Sequence, residues 1–186
     1  MVGGGAVAQR KVLSLLKAGA GVTVISPALT RRLQTLKQKG SVAHVDREFR
    51  RGDLKRLSPF LAFAATDSGP VNESFSREAA SLGLPVNVSD NPSLSSFIVP
   101  SVVQRGPLQI AISTSGASPA LAKSIRLELE KLYGKEFGVY LQKQARARAA
   151  LKASSSGLPA ADRRRLFKKA GSGAIIESIR RGKPGI

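Results

Sequence analysis

The string GGGAVA at residues 3–8 constrains this chain more than any other stretch. Consecutive glycines make a poor strand and a poor helix start, so they mark a turn. The residues after them are periodic. Ala8, Val12, Leu15 and Leu16 fall at i, i+4, i+7 and i+8, one face of a helix, and Gly19 and Gly21 close it. Val2 in front reads as the end of a strand. The alternation then continues. VTVIS (22–26) is a short β-branched strand, followed by a polar helix from Thr30 to Lys39, which ends at Gly40. SVAHV (41–45) is a third strand with a weak helix over 53–58 behind it. FLAFAA (60–65) reads as a strand buried on both faces, residues 70–82 as a helix, and PVNVS (85–89) as a fifth strand. Alternating β and α units predict an α/β fold, a Rossmann-like parallel sheet with helices on both faces.

The rhythm changes after residue 94. SFIVPSVVQ and LQIAIST are apolar segments separated by Arg105-Gly106-Pro107, the chemistry of a turn between antiparallel strands. Ser118 is a good N-cap with Pro119 at the first helical position, and Leu121, Ile125, Leu129 and Leu132 repeat at helical spacing. Further helices are expected at 136–153, 160–169 and 173–181, broken by SSSG (154–157) and Gly171. The expected organisation is a nucleotide-binding domain over 1–94, a β linker over 95–118 and a helical domain over 119–186.

Composition narrows the chemistry. The 186 residues contain no cysteine and one histidine, His44. Disulfides, thiolate zinc sites, iron–sulfur clusters and cysteine nucleophiles are excluded, and no histidine-based metal site can be assembled, so no metal ligand is assigned. No signal peptide or membrane-length apolar run is present, which predicts a soluble, cytoplasmic protein. The net charge is +18, and it is uneven: +7 lies in residues 1–119 and +11 in residues 120–186. A basic excess of this kind attracts polyanions or forms a solvated face. Arg146, Arg148, Arg163, Arg164 and Arg165 read as solvated helix faces unless the ligand is a polyanion.

GGGAVA fits the dinucleotide pattern G-x-G-x-x-G/A. Gly3 takes the tight turn, Gly5 lets backbone approach a diphosphate, and Ala8 allows close packing of helix on strand. The acidic residue expected after the second strand is replaced by Ser26-Pro27-Ala28, with Arg31 and Arg32 beyond. On these residues NAD and NADP both stay open. Thr66-Asp67 and Asp90 follow buried strands at their C-terminal ends, where ligands of open α/β sheets bind. Each aspartate is a candidate base or cofactor contact. The structural alternatives are a helix cap for Asp67 and an Asx-turn for Asp90. ISTSGASP (112–119) places Ser113, Thr114, Ser115 and Ser118 around a helix start, where N–H groups accept anions or simply form a cap. His44 has no partner in the sequence and reads as structural.

The ordered series VGGGAVAQRK, AGAGVTVISPALT, FAATDSGPVN, PVNVSDNPSLSSFIVPS, QRGPLQIAISTSGASPALAKSIR and GKEFGVYL is more specific than any one motif. Over residues 2–152 the chain resembles the precorrin-2 dehydrogenase (sirohydrochlorin-forming) family, the N-terminal module of siroheme synthases, and the stand-alone form is the expectation. The resemblance implies NAD-dependent oxidation of precorrin-2 to sirohydrochlorin, a polycarboxylate tetrapyrrole that suits a basic helical region. In some members the same site also inserts ferrous iron, so a lyase activity stays open. It implies a homodimer formed through the linker and helices. It places the essential aspartate at Asp90 and cofactor contacts at Gly5, Ala6, Val7, Pro27 and Ala28, and it favours NAD. The helix start at Ser118 is expected to take one substrate carboxylate. A serine phosphorylated in some siroheme synthases matches Thr114 here, so that regulation is not carried over. The competing class is a nucleotide-sensing regulator that binds nucleic acid through its basic tail. That tail lacks a helix-turn-helix motif and aromatic platforms, and the expectation is no nucleic-acid partner.

Only Met1 and Val2 precede Gly3, whereas a strand usually takes about five or six residues. The expectation is a truncated first strand, with Met1 misassigned as the start. The inner edges of the neighbouring strands would then lack partners, and the chain would be unstable and bind NAD poorly.

Overall fold

The computed structural model describes residues 1–154 and 175–181. The chain divides into two units, Met1–Val99 and Pro100–Ile186. The first carries the βα alternation: α1 (Ala6–Lys17), β1 (Thr23–Ile25), α2 (Arg31–Gln38), β2 (Ala43–Val45), α3 (Asp53–Leu57), β3 (Ala62–Ala64), α4 (Gly69–Ser81) and β4 (Val86–Val88). Each of these four strands is three residues long, shorter than the apolar run that announced it. Parallel pairing joins β1 to β2, with Val24 opposite His44, and β3 to β4, with Phe63 opposite Asn87.

Met1 and Val2 join these halves. Val2 forms parallel bridges to both Ile25 and Ala64. Its N–H donates to Phe63 O at 2.8 Å and its carbonyl accepts from Ala65 N at 2.9 Å, while Ile25 N donates to Met1 O at 2.9 Å. Two residues therefore supply the central position of the order β2-β1-Val2-β3-β4. The expectation that the inner edges go unpaired is corrected at these positions, because backbone pairing needs only a residue in register, not a full strand. FLAFAA also proves shorter than expected: only Ala62–Ala64 is strand, and Phe60 is 86% exposed.

Successive strand residues face opposite sides, and the core follows suit. Val24 joins Val12, Val22, Leu33 and Val42 under α1 and α2. Ile25 joins Val2, Leu54, Ala64, Phe75, Ala79 and Val88 under α3 and α4. Each such Val, Leu, Ile or Phe side chain, once buried, contributes about 1.5–3 kcal/mol.

The five-residue α3 could not hold itself, and buried carboxylates secure it. Glu78 on α4 accepts from Gly52 N and Leu54 N, both at 2.9 Å. Asp53 receives both ends of the Arg47 guanidinium at 2.7 Å and the Arg50 N–H at 2.9 Å. The Arg47 hydrogen bond, with the Arg50 N–H assisting and burial opposing, lowers the Asp53 carboxyl from 3.8 to about 2. The folded value lies below the unfolded one. The contribution is therefore complete above about pH 4 and disappears as pH falls through about 2. Asp53→Asn is expected to cost about 1–3 kcal/mol at pH 7 in denaturant melts. The gap to wild type should shrink towards pH 2, and a gap independent of pH would contradict the assignment.

The second unit contains the antiparallel pair β5 (Ser101–Arg105) and β6 (Leu108–Ile112), turned through Gly106 and Pro107. The pair falls in the same unit as α5 (Pro119–Leu132), α6 (Lys135–Ser154) and α7 (Ile175–Arg180). Arg105 closes the C-terminus of α5 by donating to Tyr133 O at 2.9 Å and Glu130 O at 3.2 Å. Phe137, Tyr140 and Ile179 form its core cluster. The helix expected over 160–169, and with it Arg163, Arg164 and Arg165, lies outside the described residues. No helix among the described residues is long and apolar enough to cross a membrane, and no group of acidic or histidine side chains there could hold a metal ion.

Candidate functional site

Gly3 follows the Met1–Val2 bridge with φ +99°, a left-handed conformation that suits glycine. A Cβ there would overlap the Ala65 carbonyl, and a Cβ on Gly4 would overlap that of Ala28. A Cβ on Gly5 would meet nothing within 4 Å. The fingerprint reading chose Gly3 and Gly5 and passed over Gly4. The structure gives the three glycines different jobs: Gly3 and Gly4 let backbone close on backbone, and Gly5 keeps the opening clear. Gly5 is also the N-cap of α1 and offers no side chain to its first-turn N–H groups. Those groups face an opening with no acidic residue in the first turn, the arrangement that receives a diphosphate.

The opening is a cleft of about 810 Å³ at the C-terminal edge of the sheet. Gly3, Gly5, Ala6, Val7, Ser26, Pro27, Ala28, Thr66 and Asp67, nine residues drawn from three separate loops, all line it. Local bonds set the loops. Ser26 Oγ donates to Ala28 O at 2.7 Å, and Thr30 N donates to Gly4 O at 3.0 Å. The His44 ring supports the same loop, with Nε2 at 2.8 Å from Ser26 O and Nδ1 at 3.0 Å from Lys37 Nζ. That arrangement fits a structural histidine that donates through Nε2. Thr66 Oγ1 lies 2.8 Å from Asn72 Oδ1, so its hydroxyl faces α4. The cap of α4 is Ser68, whose side chain accepts from Val71 N. Asp67 is thus not the cap, and it stands exposed in the cleft.

Asp90 ends β4 in a turn with φ +59°, exposed to solvent. The side-chain turn bond belongs to its neighbour: Ser93 Oγ donates to Asn91 Oδ1 at 2.7 Å. Beside it the Ser89 hydroxyl is buried without a hydrogen-bond partner among the described residues. A cation that sequence reasoning missed completes this side. Lys11 reaches from α1 across Phe63, its Nζ 5.5 Å from the ring centroid, and donates to Asn87 Oδ1 at 2.8 Å. Burial lowers the Lys11 ammonium below its usual 10.5, while the charge of Asp90 acts to raise it. Lys11 was missed because nothing in VAQRK distinguishes it from the exposed Arg10.

Ser113, Thr114, Ser115 and Ser118 lie in the second unit, where they shape one turn. Ser115 N donates to Ser113 Oγ, Ser118 N to Thr114 Oγ1, and Leu121 N to Ser118 Oγ. Ser118 is the N-cap of α5, as its sequence position implies. The cleft also contains Glu48 and Phe49, which no motif marked.

The model of the putative NAD(P)-binding family matches residues 1–101, and that of the sirohaem biosynthesis protein central region matches residues 105–132. The siroheme synthase of Nitrosococcus oceani is 40% identical over 183 residues, which is 98% of this chain and 38% of that protein. The siroheme synthase of Thioalkalivibrio sulfidiphilus is 43% identical over 138 residues, 74% of this chain and 28% of that protein. The chain thus spans less than two fifths of the length of these relatives. A solved precorrin-2 dehydrogenase superimposes with a TM-score of 0.79 at 26% identity, covering 97% of this chain and 88% of that one.

Proposed function

This chain belongs to the putative NAD(P)-binding family shared with siroheme synthases and precorrin-2 dehydrogenases, and from that premise we propose that it oxidises precorrin-2 to sirohydrochlorin with NAD. The carrying observation is the cleft, where nine residues from three loops surround a glycine turn with an open helix N-terminus. Bound NAD would supply the hydride acceptor. The chain's own residues bind and orient. Gly5, Ala6 and Val7 present backbone N–H groups to the diphosphate, and the Ser26–Ala28 turn flanks the nucleoside. Gly3, Thr66 and Asp67 border the cleft on its other side. Asp90, at the end of β4, takes the proton that leaves the macrocycle as it is oxidised. In the second unit, the hydroxyls of Ser113, Thr114, Ser115 and Ser118 receive a substrate carboxylate.

A homodimer is part of the same proposal, supported by Leu121, Leu127, Leu132 and Val139, which stand 44–53% exposed on α5 and α6. A cytoplasmic location is a further part of it. The test is an absorbance assay with precorrin-2 and NAD, in which sirohydrochlorin and NADH are expected to rise together. No NADH above the enzyme-free control would refute the reading. Repeating the assay with ferrous ion tests iron insertion.

The exposed Arg146 and Arg148 on α6 offer charge to a polycarboxylate. Neutralising both is expected to raise KM for precorrin-2 about 3- to 10-fold with little change in kcat, because exposed pairs are weak. The effect should fade as salt rises. A KM indifferent to both the substitutions and ionic strength would exclude the basic helix from substrate capture.

A further inference from the structure

The loop after β1 leaves the choice between NAD and NADP open, since Ser26-Pro27-Ala28 holds no acidic residue and Arg31 and Arg32 follow. The structure places both arginines at the start of α2, exposed and outside the lining of the cleft. Among the described residues that line it, only Glu48 and Asp67 carry ionisable side chains, and both are acidic. The sheet order separates the two. The glycine turn sits above the central bridge, Glu48 follows β2 on the β1 side, and Asp67 follows β3 on the other. A dinucleotide with its diphosphate on the α1 N-terminus lays one nucleoside towards each side. The β1–β2 side corresponds to the adenosine half, because that is the side on which a Rossmann sheet carries its ribose-reading acidic residue.

We propose that Glu48, supplied by the loop after β2, replaces the missing acidic residue after β1 and sets the preference for NAD over NADP. This deepens the proposed function and rests on its NAD reading. Backbone and neighbours hold Glu48 at the cleft. Its carbonyl accepts from Arg47 Nη1 at 2.8 Å while the same guanidinium is forked onto Asp53, and Phe49 next to it packs edge-on to Phe75 at 5.2 Å. Arg47, the nearest cation in sequence, is thereby spent on Asp53. The Glu48 carboxylate is exposed and has no hydrogen-bond partner among the described residues, so it is available to ribose hydroxyls and repels a 2′-phosphate.

The test measures dissociation constants of NAD and NADP by calorimetry for the full chain, without substrate. Wild type is expected to bind NAD at least about tenfold more tightly. Glu48→Gln should cut that ratio about tenfold, mainly by tightening NADP, and Glu48→Arg should bring it to one or below. Asp67→Asn should weaken both cofactors alike. Melting curves check that each variant is folded, which an exposed side chain makes straightforward. Equal NAD and NADP affinities in wild type, or a ratio unchanged in folded Glu48→Gln, would overturn the role of Glu48 while leaving dinucleotide binding intact. Failure of wild type to bind either cofactor would overturn the NAD reading, and this inference with it.

Discussion

Asp90→Asn is expected to lower precorrin-2 turnover by about 10²–10⁴-fold while NAD affinity stays within about twofold of wild type. The contrast is informative because the substitution disturbs so little else. Asp90 sits at φ +59°, a left-handed conformation that asparagine tolerates nearly as well as glycine does. Its side chain is exposed, and the turn's side-chain bond is made by Asn91 and Ser93, so the fold does not rely on the carboxylate. Asparagine keeps the shape while removing the ability to accept and hold a proton, together with the charge that acts on Lys11. Stopped-flow absorbance with precorrin-2, alongside calorimetry with NAD, reads both quantities. Turnover within threefold of wild type would remove Asp90 from the proton-accepting role. If iron insertion is present and draws on the same base, it should fall in parallel, whereas loss of one activity alone would assign the two steps to different groups.

Gly4→Ala and Gly5→Ala should separate stability from binding at adjacent positions. The Gly4 methyl would collide with the Ala28 carbonyl, which is backbone and cannot swing away. A cost of about 2–4 kcal/mol is expected, with the melting temperature falling by about 5–10 °C and cofactor binding lost with the loop geometry. The Gly5 methyl meets nothing and keeps an ordinary φ of −80°. Stability there should change by less than about 1 kcal/mol, yet NAD affinity should drop at least about tenfold, since the methyl enters the space proposed for the diphosphate. A Gly5→Ala protein that binds NAD like wild type would place the diphosphate elsewhere. A Gly4→Ala protein with an unchanged melt would mean that the loop at Ala28 can retreat.

How much of this could be read from residues alone depended on whether the signal was local. The helix over 6–17 announces itself through Val12 and Leu15 at regular spacing. The cap of α5 announces itself through Ser118 and Pro119, because an N-cap and the residue it caps are three positions apart. Asp67 shows where locality fails. In sequence it competes with Ser68 to cap α4, and only the three-dimensional turn shows Ser68 accepting from Val71 N. The run FLAFAA looks uniformly buried because hydrophobicity says nothing of where a neighbouring strand stops, and Phe60 lies beyond that point.

The sequence by itself determined the βα alternation, the glycine turn, the antiparallel pair and the position of Asp90 at a strand end. Each follows from backbone preference and periodicity over a few residues. Only the tertiary structure decided that two residues, Met1 and Val2, can join the halves of the sheet through hydrogen bonds to Phe63, Ala65 and Ile25. It alone placed Lys11 against Asn87 and Glu48 in the cleft, residues separated by 76 positions in the first case and drawn from a loop without a motif in the second. The physical reason is the same throughout. Hydrogen bonds along a turn or helix are closed by near neighbours, but the charge that a cleft presents is set by which loops the sheet order brings to one edge.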